Sequence, residues 1–272
     1  MITKSFPAVA TLWVGRPLSW IEQLSLTSFL AVGHSVKLYT YSAISGVPDG
    51  VEVADASDIF APDQEFLQDV GPSMVADIFR LHLMEKRDEI WIDADMVAVK
   101  PITLNENGFA VGYESPNHKI CNAVLRTPAD SGSLKLLLDF IAKPHHQPPW
   151  LRPALRAKLA DFPEQQLLSG LYKVKRSSMG PMALSYALRQ TDEISEVRRR
   201  EAFFSVPWQY SDVLFNPYGG AEGWMSADTE AVHLWSHALS NFHKTRRPHP
   251  NSFVGRMQSK LGIDVSHLKR GQ

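Results

Sequence analysis

The sequence has one cysteine, Cys121, in 272 residues. That excludes an intrachain disulfide and any metal site built from several thiolates. Cys121 sits in an apolar run and reads as an inert buried thiol. No run approaches the roughly 18 uninterrupted apolar residues that a membrane-spanning helix needs. Residues 1–10 carry a single Lys and no long apolar core, so they do not read as a secretory leader. The expectation is a soluble cytoplasmic protein, one able to visit the inner face of the plasma membrane. Basic excess is also missing. Lys and Arg number 28 against 29 Asp and Glu, a formal charge of -1, which argues against a nucleic-acid partner. The one local exception is 244–270, where Lys244, Arg246, Arg247, Arg256, Lys260, Lys269 and Arg270 face Asp264 alone. Such a tail fits a peripheral contact to anionic lipid or substrate phosphate, or simply a solvated terminal helix.

With 44% hydrophobic and 21% charged residues, the chain is an ordinary globular protein, long enough to bury a sizeable core. Its apolar runs alternate with helical spacing. Strands are expected at 8–14, 36–41, 89–93, 108–113, 120–125, 202–206 and 231–235. Helices are expected from Ser19 to a glycine cap at Gly33, and over 73–86, 130–142 and 181–189. Residues 55–69 read as loop with a short helix. Strands alternating with helices give an α/β fold, a mixed sheet flanked by helices. The segment 143–163 holds Pro144, Pro148, Pro149, Pro153 and Pro163 and reads as an insertion or lid outside the core. One domain over 1–240 followed by a basic tail over 241–272 is the expected organisation.

The sharpest chemical signal is Ile90-Trp91-Ile92-Asp93-Ala94-Asp95. A buried strand ends in two acids, at the edge of an α/β sheet where ligands collect. In extended chain, side chains at i and i+2 share a face. Two carboxylates there repel each other unless an oxygen-ligated cation such as Mg²⁺ or Mn²⁺ joins them. The plainer reading is a turn with two solvated acids. Asp77 and Arg80 share a helix face; they are either an ordinary salt bridge or a sugar and phosphate contact. His233 ends a late apolar run and could add a nitrogen ligand, or be a structural histidine. Trp13 closes the first strand and could stack on a nucleobase, with Gly15 allowing close backbone approach, or the pair could be core and turn. Gly180-Pro181 is either helix punctuation or a phosphate approach at a helix start.

Taken in order, these pieces resemble the bacterial glycosyltransferases with a DxD sugar-binding region, family 32, and more distantly the glucosylating domains of large clostridial toxins. Leu12-Trp13-Val14-Gly15 resembles the first-strand motif that meets the nucleoside. Gly33-His34-Ser35-Val36 resembles the entry to the second strand, and Ala76-Asp77-Ile78-Phe79-Arg80 the Ser-Asp-x-x-Arg helix. Ile92-Asp93-Ala94-Asp95 resembles the metal motif. Glu114 and Asn122 fall in the strand pair beside the donor sugar. Gly180-Pro181 and Val232-His233-Leu234-Trp235 resemble two C-terminal markers. The resemblance implies a GT-A fold, a UDP-sugar donor, a glycan or glycolipid acceptor, Mn²⁺ or Mg²⁺ on Asp93, Asp95 and His233, and retention at the anomeric carbon. It implies catalytic roles for Asp77, Asp93 and Asp95. Donor contacts would come from Leu12, Trp13, Gly15, Asp77, Arg80, Asp93, Glu114, Asn122 and Gly180. The departures are Ala76 where Ser is common, Asp88-Glu89 where Gly-Gly is common, and His237 where a Trp is frequent, so His237 competes with His233 as ligand. A nucleotidyltransferase on a similar sheet, or a non-catalytic glycan- or lipid-binding module, are the rival readings. The first lacks a Gly-rich loop with a Lys near the first strand.

Overall fold

Ser19 sets where the first helix begins: its hydroxyl accepts from the amide of Ile21, while Glu22 reaches back to accept from the Ser19 amide at 2.6 Å. The computed structural model describes residues 6–115 and 119–269; the first five residues, Pro116 and Arg270 lie outside them. In chain order come β1 (Ala8–Leu12), α1 (Trp20–Ala31), β2 (Val36–Thr40), β3 (Val51–Asp55), α2 (Gln64–Asp69), α3 (Pro72–Lys86) and β4 (Glu89–Ile92). They are followed by β5 (Met96–Ala98), β6 (Ala110–Tyr113), β7 (Ile120–Arg126), α4 (Gly132–Ala142), α5 (Pro153–Leu159), α6 (Leu167–Val174) and α7 (Ala183–Gln190). Last come β8 (Ala231–His233), α8 (Asn241–Thr245) and α9 (Phe253–Lys260).

Six strands form one sheet in the order β3-β2-β1-β4-β7-β6, and β5 pairs with β8 in a small second sheet. The first four strands run parallel; β7 is antiparallel to β4, and β6 is antiparallel to β7. The mixed α/β sheet flanked by helices is therefore present. Alternate residues along each strand feed two cores. Ala10, Leu12, Trp91 and Leu125 pack with α3, α4 and α7, whereas Val9, Ile90, Ile92 and Val124 pack with Leu26 and Phe29 of α1. From β1 the chain moves outward to β2 and β3, then returns to the other side of β1 as β4. The strand order reverses between β1 and β4, and the crevice beyond their carboxyl ends is where such sheets bind ligands.

Three expectations change. Residues 202–206 do not form a strand. Phe204 makes one bridge to Val232, and Phe203 and Phe204 are buried core aromatics just ahead of Pro207. Their apolar run reads as a strand by period, but it fills space instead of pairing. The proline-rich 143–163 segment is not outside the core. Leu151 and Leu159 are buried in the larger core cluster, α5 starts on Pro153, and the Trp150 ring lies 4.6 Å from that of Phe140. Proline at the first helical turn is tolerated because that N–H has no helical partner. Residues past 240 also fold back on the body. Phe253, Val254 and Ile263 pack with Trp20, Ile21 and Leu24, and the Trp20 indole donates to the Lys244 carbonyl at 3.1 Å.

Candidate active site

The buried strand β4 delivers Asp93 to its carboxyl end, where the Asp93 amide donates to the Ala123 carbonyl at 2.7 Å. A turn closed by the Met96 amide on the Asp93 carbonyl, at 3.0 Å, then leads into β5 with Asp95 just before it. Strand β8 pairs antiparallel with β5 in the register Met96 opposite His233. That register carries a histidine 138 residues away to the acid pair: His233 Nε2 lies 3.0 Å from Asp95 Oδ1. The other Asp95 oxygen accepts from the Ser236 amide at 2.8 Å. Ser236 reaches it because Trp235 adopts a left-handed backbone, φ 56°. That conformation is costly for a bulky residue and persists only where the surroundings enforce it. Here the indole donates to the Val206 carbonyl at 2.8 Å, and its ring centre stands 3.8 Å from that of His233.

Burial works against charge on both partners, yet mutual attraction wins. Despite its burial, the Asp95 carboxyl is held well below the usual carboxylate range by His233 and the Ser236 amide. His233, also buried, is pushed up to about 10 by Asp95, with Cys121 adding to the rise. Asp93, Asp95 and His233 present ligand atoms that all lie within 4.8 Å of one another. Two carboxylate oxygens and an imidazole nitrogen at that spacing could hold a metal ion. His237 is exposed on the rim and does not join the group.

Helix α3 builds the other wall. Arg80 is buried and every arm of its guanidinium is used. Nε donates to the Ala76 carbonyl at 3.1 Å, Nη1 donates to the Asn122 carbonyl and to Asp93 Oδ1 at 3.1 Å, and Nη2 stands 3.3 Å from Asp77. The guanidinium carbon lies 4.5 Å from the centre of the Trp91 ring, whose Nε1 donates to Asp93 Oδ1 at 2.8 Å. Asp77 and Arg80 are thus a buried charge network and not a surface helix pair. Asn122 Nδ2 donates to Asp77 at 2.9 Å. Burial raises the Asp77 carboxyl to about 6; Arg80 and Asn122 oppose the rise and Asp93 adds to it. A carboxyl whose folded value exceeds its unfolded one contributes stability that is full below about pH 4 and lost as pH rises through about 6. Asp77→Asn removes this dependence. In metal-free buffer, urea unfolding should show the variant gaining on the wild type by up to about 3 kcal/mol between pH 4 and pH 7. Parallel stability curves would overturn the assignment.

The two walls enclose a cleft of about 950 Å³. Of the residues expected from sequence, Leu12, Trp13, Asp77, Arg80, Asp93, Asp95, Glu114, Asn122 and His233 all line it. Trp13 is half-buried; its indole donates to the Arg16 carbonyl at 2.7 Å, and the Arg16 guanidinium lies 5.6 Å from the ring centre. Glu114 is buried and paired with Lys119 at 2.7 Å. The two glycines are held differently. Gly15 has a φ of 99°, a backbone that favours glycine, and leaves open space beside it. Gly180 packs on Asp77, whose carboxylate would stand 2.7 Å from a Cβ there, so its close approach is to that acid and not to the open cleft. Sequence reasoning missed Trp91, Trp235 and the Ser236 amide as supports of the acid pair. The i, i+2 relation of Trp91 to Asp93 was a usable signal; the left-handed Trp235 had none. Cys121 is buried as expected, but it also lines the cleft, and burial raises its thiol pKa.

No protein-family model and no curated protein matches the chain. Among solved structures the chain is similar to the PaToxG glycosyltransferase, at 19% identity and a TM-score of 0.41, with 70% of each chain covered. A likeness of that degree assigns no role to any residue of the cleft.

Proposed function

We propose that the chain is a metal-dependent glycosyltransferase of the GT-A type, resembling family 32. It moves a hexose or N-acetylhexosamine from a UDP-sugar to a hydroxyl of a glycan or glycolipid, with retention. The observation that carries this reading is the convergence of Asp93, Asp95 and His233 at the switch point of the sheet, inside a cleft roomy enough for a nucleotide sugar. Mn²⁺ or Mg²⁺ on these three side chains would offset the charge that develops on the leaving diphosphate. Asp95 and His233, 3.0 Å apart, would be its principal ligands, His233 once the cation displaces the proton on its ring. Asp93 is held still by Trp91 and Arg80, which fixes its second oxygen for the cation or for ribose. Asp77 and Asn122, tied together, orient sugar hydroxyls. Trp13 offers an aromatic face to the base.

A thermal-shift screen of UDP- and GDP-sugars tests this. UDP-sugars with Mn²⁺ should raise the melting temperature more than either alone, since a ligand of the native state stabilises by mass action. In the same series Trp13→Ala should weaken UDP binding about tenfold by calorimetry, the magnitude of base stacking on an aromatic ring. No response to any nucleotide, with or without metal, would sink the proposal.

A further inference from the structure

A second cavity, of about 350 Å³, adjoins the cleft through the chain itself. Trp208 lines the cleft, and Asp212 with residues 215–217 of the same segment lines the second cavity. Ser236, His237 and Ala238 line the cleft, and Phe242, His243 and residues 246–249 line the second cavity. One rim of the cleft therefore runs on into this surface. Its composition is aromatic and cationic. The His243 ring stacks on Phe215 at 4.3 Å, and the Arg246 guanidinium lies 4.8 Å from the centre of the Phe242 ring. Backbone pairing of Arg246 and Arg247 with Lys269 brings that lysine beside them. Lys244, Arg246, Arg247 and Lys269 thus gather in one place, with Lys244 and Lys269 exposed. The acids facing them are Asp212, 3.1 Å from His243, and Asp264, which lies near Arg247. Among the described residues, Lys244 and Lys269 remain exposed cations beside them.

Exposed apolar side chains concentrate in the same stretch. Among the described residues, Trp208 at 46%, Tyr210 at 57%, Tyr218 at 96% and Phe242 at 47% are exposed, and Val53 is the one large apolar side chain so exposed elsewhere. Exposed aromatics on the same segments as a cluster of Lys and Arg are the chemistry of an interfacial footprint: rings enter the headgroup layer while cations meet anionic lipid.

We propose that this surface docks on an anionic phospholipid bilayer and turns the mouth of the cleft toward it. The acceptor is then a lipid-linked glycan presented from that bilayer, a consequence that rests on the glycosyl-transfer reading; the docking itself does not.

The test is co-sedimentation of the full chain with vesicles of phosphatidylcholine containing phosphatidylglycerol, against phosphatidylcholine alone. The chain should partition to the anionic vesicles, less so as salt rises. Lys244→Glu with Lys269→Glu should lower the partition at least about 30-fold, and Phe242→Ser about fivefold. A control with equal charge change, Lys135→Glu with Lys158→Glu on α4 and α5, should leave it within a few-fold of wild type. Equal loss in the two double variants overturns the proposal, because net charge alone would then explain binding. No preference for anionic vesicles overturns it too. UDP binding with Mn²⁺, measured on the same samples, reports separately on the donor site: intact nucleotide binding without vesicle binding rejects the docking surface alone.

Discussion

Asp95→Asn should abolish metal-dependent turnover or hydrolysis of a UDP-sugar, a loss of about a thousandfold or more. The substitution keeps the size of the side chain and an oxygen able to accept from the Ser236 amide, which Asp95 Oδ2 does now at 2.8 Å. What it removes is the negative charge that faces His233 at 3.0 Å. Without that charge the imidazole, now raised to about 10, falls back toward its ordinary range, and burial favours its neutral form. The pair thus loses charge without leaving a buried cation stranded. Calorimetry with Mn²⁺ alone should show metal binding weakened severely, while UDP binding without metal, through the Trp13 side of the cleft, stays within a few-fold of wild type. That split distinguishes a lost cation site from a collapsed cleft. Turnover at the wild-type rate would refute the role given to Asp95.

Much of this site is legible in the sequence, because it sits where period and order are strongest. The three residues before Asp93, Ile90, Trp91 and Ile92, are all apolar, and α3 carries Asp77 and Arg80 at i and i+3, so both elements and their polar residues stand out. The meeting of His233 with Asp95 does not. It depends on the pairing of β8, a strand expected at 231–235, with β5, whose three residues are too short to announce a strand or set a register. The edge strand β3 escapes for a related reason: Glu52 and Val53 are exposed, so its pattern is that of a loop. Proline misleads in the opposite direction. A dense run over 143–163 suggests a loop, yet Pro153 opens a helix whose Leu159 reaches the core. Composition cannot tell a helix-starting proline from one that interrupts structure. The burial of Arg80 is equally hidden, since a sequence shows that a pair exists but not whether water reaches it.

That burial makes Arg80→Met the most damaging change to stability in the cleft. Arg80 is 4% exposed and its guanidinium touches Asp77, Asp93, the Asn122 and Ala76 carbonyls and the Trp91 face. Methionine can fill part of the volume beside Trp91 but supplies no donor, so two acids lose their common counter-charge. Removing one partner of a buried pair costs about 3–5 kcal/mol, which for a chain of this size corresponds to a melting point lower by about 10 °C. Arg80→Lys should not rescue it fully, because an ammonium on a flexible stem cannot meet both carboxylates and lie flat on the indole. Adding Asp77→Asn to Arg80→Met should return part of the loss, since the acid already disfavoured by burial is then gone; the double-mutant cycle measures that coupling. Recovery of stability should come without recovery of UDP-sugar turnover, because Asp93 would still lack the arm that orients it. A single variant that melts with the wild type would show that the guanidinium does not hold the two walls together, and the assignment of Asp93 as a prepositioned ligand would fall with it.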